Sequence, residues 1–350
     1  MIQFTFRWFG HDDAVPLRYI RQIPGVTGIV SALYDIPVGD AWPRSRLAEL
    51  KDEIETAGLD FAVVESIPVH ENIKLGWPTR ERLIANYCAS IRAMGEVGIP
   101  VLCYNFMPVF DWMRTDLALA LPDGSTALAY DDRALSAIDI SHGTGDLPGW
   151  ATAYSANQLR ELLQAYADIG PDELWENLQY FLERIVPVAE AAGVRLAIHP
   201  DDPPWSIFGL PRIITDGAAL ERVTKIVDSP ANGVTLCTGS LGSLPSNDVP
   251  AIARRLGEAG RINFVHGRNV RVTGQHRFHE TPHPSVLGDV DIFAVLRALR
   301  DTGYRGPIRP DHGRMIWNEK GRPGYGLYDR ALGSAYLNGL REGLTRDVTR

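Results

Sequence analysis

Four side chains with metal-binding chemistry punctuate the second half of this 350-residue sequence: His199 in RLAIHP, Cys237 in GVTLC, His266 in INFVH and Asp311 in PIRPD. Each closes a short apolar, β-rich run, where a buried charge or imidazole without a partner is costly. Two imidazoles, a thiolate and a carboxylate suit a first-row divalent ion such as Mn, Fe, Co, Ni or Zn. They suit calcium poorly, because calcium takes oxygen ligands. The four stand roughly thirty to forty-five positions apart, unlike the close-spaced pairs of a structural zinc site, which favours an open catalytic ion. Taken singly, a histidine or cysteine at a strand end is more often core than ligand. Four coincident placements reverse that balance.

Further polar groups accompany the four, in HPDDPPW, CTGS, HGRN and RPDHGR. Arg268, Arg309 and Arg314 can each answer an anionic substrate through paired hydrogen bonds, or can pair with Asp201 or Asp202 instead. His312, one residue beyond Asp311, is placed to act on bound substrate as acid or base.

Elements that could bring such distant residues together are legible along the chain. Eight apolar, β-rich segments, at 4–9, 28–33, 61–66, 101–106, 195–200, 233–240, 262–269 and 307–313, alternate with amphipathic helical stretches. That count predicts an α/β fold with a single (β/α)8 barrel over residues 1–350, whose site lies at the carboxyl ends of the strands. In ERLIANYCASIRAMGEVG the apolar residues recur on one face, so Cys88 reads as core. GLYDRALGSAYLNGLREGL supplies the closing helix. Residues 107–170 break the rhythm as a long insertion after the fourth strand, rich in Gly, Ser and Thr at its centre. A lid over the site and a segment packed on a partner subunit are both open for it.

Bulk composition narrows the partners. The chain is 45% hydrophobic and 22% charged, near the globular average. A net charge of −8 without any basic run argues against nucleic acid. No stretch approaches a membrane span, and MIQFTFRWFG lacks a signal-peptide pattern, so a cytoplasmic location is expected. Three cysteines, Cys88, Cys103 and Cys237, at wide spacing read as reduced thiols.

With these residues in place, the motifs HPDDPP, NGVTLCTGS, INFVHGRN, RPDHG and PGYG (323–326), together with RWFG, VVESIPVHE and YNFMPVFDWMRTDLALALPDGS, resemble mannonate dehydratase over nearly the whole chain. The resemblance implies a metal-dependent barrel enzyme that removes water from D-mannonate to give 2-keto-3-deoxy-D-gluconate, a step of hexuronate breakdown. Its metal ligands would be His199, Cys237, His266 and Asp311, holding a divalent ion, Mn2+ or Fe2+. Its acid and base would be His312 and Tyr325, in undetermined order, and a homo-oligomer is expected. Arg7, Asn105 and His70 are further candidates for the substrate pocket, with barrel filling as the plain alternative.

Two rival functions stand beside this one. A metal-dependent sugar isomerase or epimerase on a similar barrel would carry two glutamates at strand ends, whereas VVES offers Glu65 alone. A metal-binding barrel without catalysis would bind ligand and not turn it over.

Overall fold

A computed structural model of the protein describes residues 2–136 and 155–346. Twelve strands are present among them: β1 (Gln3–Arg7), β2 (Val26–Ser31), β3 (Asp60–Glu65), β4 (Val101–Tyr104), β5 (Asp116–Ala120), β6 (Thr126–Asp131), β7 (Arg195–Ile198), β8 (Asn232–Cys237), β9 (Ile262–His266), β10 (Asn269–Gly274), β11 (Arg277–Thr281) and β12 (Pro307–Arg309). Eight of them close a parallel barrel in the order β1, β2, β3, β4, β7, β8, β9, β12 and back to β1. These are the eight segments read from the sequence, trimmed at their carboxyl ends because the polar tails leave the ladder to build the site.

The barrel strands consist largely of aliphatic and aromatic residues and are mostly buried, as expected where helices cover the outside and side chains fill the inside. Val30, Ala62, Val63, Val101, Cys103, Ala197 and Phe264 fill the interior. Buried polar groups inside the barrel wall find backbone partners. Thr235 Oγ1 donates to the Ala197 carbonyl at 3.0 Å and Asn263 Nδ2 to that of Leu196 at 2.7 Å.

The outer ring follows from helical periodicity and from end signals. The helix Arg80–Val97 buries Leu83, Ile84, Tyr87, Cys88, Ile91 and Met94, and stops at Gly98, whose φ of 78° only glycine adopts at little cost. Cys88 is therefore core. The insertion ends where the helix Pro171–Ala191 begins, with proline in its first turn and Glu173 accepting from the Gly170 N–H at 2.9 Å. The helix Tyr328–Arg346 closes the ring.

A second, four-stranded antiparallel sheet in the order β10, β11, β6, β5 was not anticipated. Half of it comes from the insertion. The other half is a hairpin after β9, and the apolar segment expected at 262–269 overlaps only its first residue, Asn269. NVRVTGQHRFHET carries the signal in hindsight, because period-two alternation flanks a glycine-containing turn. The centre of the 107–170 insertion, residues 137–154, lies outside the described residues, and with it that part of the expected lid or interface segment. No helix among the described residues is long and apolar enough to cross a membrane.

Candidate active site

The carboxyl ends of β7, β8, β9 and β12 bring His199, Cys237, His266 and Asp311 together. One ligand atom from each of His199, Cys237 and His266 lies within 4.8 Å of the others. Asp311 Oδ2 is 3.6 Å from His266 Nδ1 and 3.9 Å from Cys237 Sγ. Asp311 reaches in because its backbone turns through the left-handed region, with φ of 59°, just after the strand ends.

Local contacts orient the donors. His199 Nδ1 lies 2.6 Å from the Pro200 carbonyl, which can only accept, so Nδ1 carries a proton and Nε2 is the atom turned toward His266 Nδ1, at 3.1 Å. Ser240 donates to Cys237 Sγ at 3.1 Å. Burial alone would push the Cys237 thiol up, but Arg268 and His199 hold it well below its ordinary range. Burial pulls His199 down while the facing sulfur lifts it, to about 9. A thiolate, two imidazoles and a carboxylate converging in a buried space fit a first-row divalent ion.

The CTGS motif now has a reading for each residue. Cys237 is the candidate donor. Thr238 Oγ1 accepts the Arg268 N–H at 3.0 Å. Gly239 lets Arg268 lie flat across the chain, since a Cβ there would stand 2.4 Å from Nη1. Ser240 supports the sulfur and also accepts from Arg268 Nη2 at 3.0 Å.

A cavity of about 720 Å³ opens above this cluster, lined among others by Arg7, Glu65, Asn105, Trp112, His199, Arg309, Asp311, His312 and Tyr325. His312 and Tyr325 face each other there, with His312 Nε2 2.9 Å from the phenol oxygen. Burial pushes the Tyr325 phenol up to about 12, with Arg309 pulling the other way. Glu65, which also lines the cavity, meets Arg7 and Arg309, each at 3.0 Å. Burial would raise Glu65, but Arg309, His266 and Arg7 hold it well below the carboxylate range.

The remaining candidates sort themselves by position. Asn105 lines the cavity and accepts from the Met107 N–H at 3.2 Å. His70 lines its outer part, where Nδ1 caps the short helix Glu71–Lys74 by accepting from Asn72 N–H. Arg268, proposed for substrate, does not reach the cavity. It is spent on buried acids, at 2.7 Å from Asp202, 3.0 Å from Glu280 and 2.6 Å from Asp311, the last of these in the donor cluster itself. Arg314 points away as well, paired with Asp329 and Asp123.

Three residues of this site have roles that the sequence does not single out: Glu65 stands there only as a strand-end acid, Arg114 carries no local signal, and Glu280 sits on the hairpin after β9. Arg114 is fully buried, paired with Asp202 at 2.7 Å and Glu280 at 2.8 Å. Burial would raise the Glu280 carboxyl, but Arg268, His312 and Arg114 hold it down, at about 2.

The D-mannonate dehydratase (UxuA) family pattern matches residues 2–350. The chain belongs to the D-mannonate dehydratase family. Mannonate dehydratase from Streptococcus uberis is 54% identical over 345 residues, covering 99% of each chain. Mannonate dehydratase 2 from Halalkalibacterium halodurans is also 54% identical, over 98% of this chain and all of that one. The crystal structure of mannonate dehydratase from Streptococcus suis serotype 2 superposes with a TM-score of 0.93 at 50% identity, covering 99% of this chain and 96% of that one. A xylose isomerase domain protein from Alicyclobacillus acidocaldarius aligns with a TM-score of 0.57 at 14% identity, a likeness of fold alone. D-Mannonate dehydratases are hydro-lyases, and this membership fits the cavity just described.

Proposed function

We propose that this chain removes water from D-mannonate at the cavity over His199, Cys237, His266 and Asp311, yielding 2-keto-3-deoxy-D-gluconate. The observation that carries the reading is the meeting of four metal-competent donors with an adjacent imidazole–phenol pair on one cavity wall. His199, Cys237, His266 and Asp311 would hold a divalent ion, manganese or ferrous iron. Such an ion supplies Lewis-acid stabilisation of the charge that develops beside the substrate carboxylate.

The chain's own groups account for the protons. His312 Nδ1 is committed to Glu280 at 2.7 Å, so in the neutral ring Nε2 holds the lone pair and takes the C2 proton. Tyr325, a phenol up to pH of about 12, gives its proton to the departing C3 hydroxyl, which leaves as water. His312 then returns its proton to the phenolate across the 2.9 Å between them. The pair is restored and one water has been lost, and the enol product ketonises. Arg7 and Arg309 give the cavity floor a positive edge for an acid substrate, and Asn105 offers its amide nitrogen to a hydroxyl. A cytoplasmic location belongs to the same reading, supported by a small sugar-acid substrate and by the lack, among the described residues, of a helix long and apolar enough to cross a membrane.

The test is formation of the 2-keto-3-deoxy acid from D-mannonate, with D-gluconate and other aldonates alongside, using protein stripped of metal and reloaded with manganese. Metal-dependent product from D-mannonate is the expected result. Isomerised or epimerised sugar without keto-deoxy acid would overturn the assignment in favour of the isomerase reading.

A further inference from the structure

We propose that Glu280 is the positioning residue for His312, fixing the tautomer and the direction in which its ring faces Tyr325. The inference rests on the dehydration reading for its kinetic consequence, though not for its structural one. Glu280 belongs to β11, outside the barrel, and is fully buried. Its Oε1 lies 2.7 Å from His312 Nδ1. An ionised carboxylate can only accept, so Nδ1 carries a hydrogen and, in the neutral ring, Nε2 is left bare toward Tyr325. The same oxygen accepts from Arg114 Nη2 at 2.8 Å and Arg268 Nη1 at 3.0 Å. Both guanidiniums are anchored again on Asp202, so Glu280 cannot turn away from the ring without breaking a buried ionic lattice.

This arrangement gives the small sheet a purpose. Register places Glu280 opposite Val270 on β10, and β11 is held from the other side by β6 of the insertion. Loops at a barrel mouth rarely fix a carboxylate as firmly as a central strand does. The sheet thus carries the outer partner of a three-member chain, Glu280 to His312 to Tyr325, while the barrel carries the metal-binding residues. Trp112 closes the remaining side of the imidazole, edge-on with centroids 5.3 Å apart.

The experiment compares wild type, Glu280→Gln, His312→Asn and the double variant, all manganese-loaded, for kcat, KM, metal content and thermal midpoint. Glu280→Gln keeps the shape and removes the charge. Its kcat should fall on the order of 100-fold, the scale of losing a ring-orienting carboxylate. KM and metal content should stay within about threefold of wild type. In the His312→Asn background the same change should cost nothing further, because Glu280 acts through that ring. A loss of equal size in both backgrounds would reduce Glu280 to a structural ion pair, and kcat within about threefold of wild type would refute the inference outright. A second readout needs neither substrate nor variant stability. In wild-type protein, the 15N resonances of the His312 ring, assigned by their absence in His312→Asn, should show hydrogen on Nδ1 and a bare Nε2. Hydrogen on Nε2 alone would overturn the proposal even if D-mannonate proved to be the substrate. Absence of turnover by wild type would sink the dehydration reading and leave the tautomer result standing.

Discussion

The phenol oxygen of Tyr325 lies 2.9 Å from His312 Nε2, across a loop that leaves the last barrel strand and returns before the closing helix. Neither residue is in a regular element. Both are buried, and Phe9 packs edge-on against the phenol at 4.8 Å between centroids. Tyr325 thus reaches the site with a fixed ring and a proton it does not release at neutral pH.

Replacement of Tyr325 by phenylalanine should preserve the ring packing and remove the proton donor. Turnover of D-mannonate should drop by about 10²–10⁴-fold, the range for loss of a general acid, with manganese content unchanged. Because the phenol titrates only near about 12, its deprotonation should not produce an alkaline fall in kcat below pH of about 10. Near-wild-type activity in the variant would remove the tyrosine from the mechanism.

His199→Ala should lose metal and activity together, since His199 supplies one of three donor atoms gathered within 4.8 Å. Metal analysis of the purified variant decides the matter. A full equivalent of metal would rule out the ligand assignment.

Acid should unfold the metal-free protein partly through Glu280. Its folded pKa, about 2, is depressed from an ordinary 4.5, so its contribution is present above pH of about 4.5 and is lost as pH falls toward 2. Melting temperature measured from pH 5 to pH 3 should therefore decline less steeply in Glu280→Gln than in wild type. Parallel slopes would mean that Glu280 keeps an ordinary pKa in the folded chain.

Gly239→Ala should displace Arg268, because the added methyl would meet its guanidinium at 2.4 Å from Nη1 and 2.6 Å from Cζ. A cost of about 1–3 kcal/mol is the scale for overpacking a tight interior. The shift would also loosen the group that holds Cys237 as a thiolate, so weaker metal retention is expected on dialysis. Unchanged stability and unchanged metal retention together would show that Arg268 relaxes freely.

Much of this molecule was legible in the chain itself. Eight apolar runs with helical stretches between them specify a barrel, because parallel strands covered by helices must be apolar on both faces and their crossovers must be amphipathic. His199, Cys237, His266 and Asp311 stood out because a polar, metal-competent residue at the end of such a run has no packing reason to be there. The resemblance added Tyr325, which no spacing singled out.

The barrel and the residues at the ends of its strands are thus written locally in the chain, since hydrophobic period and strand position are local properties. Which charges meet is set by the folded chain. Arg268 and Arg309 look alike in HGRN and RPDHGR, yet one turns into the wall against Asp202 and Glu280 while the other faces the cavity beside Glu65. Glu280 comes from a hairpin whose pairing with the insertion crosses well over a hundred residues. The partner of a buried charge is chosen by desolvation and distance in the folded chain, and no local pattern encodes either.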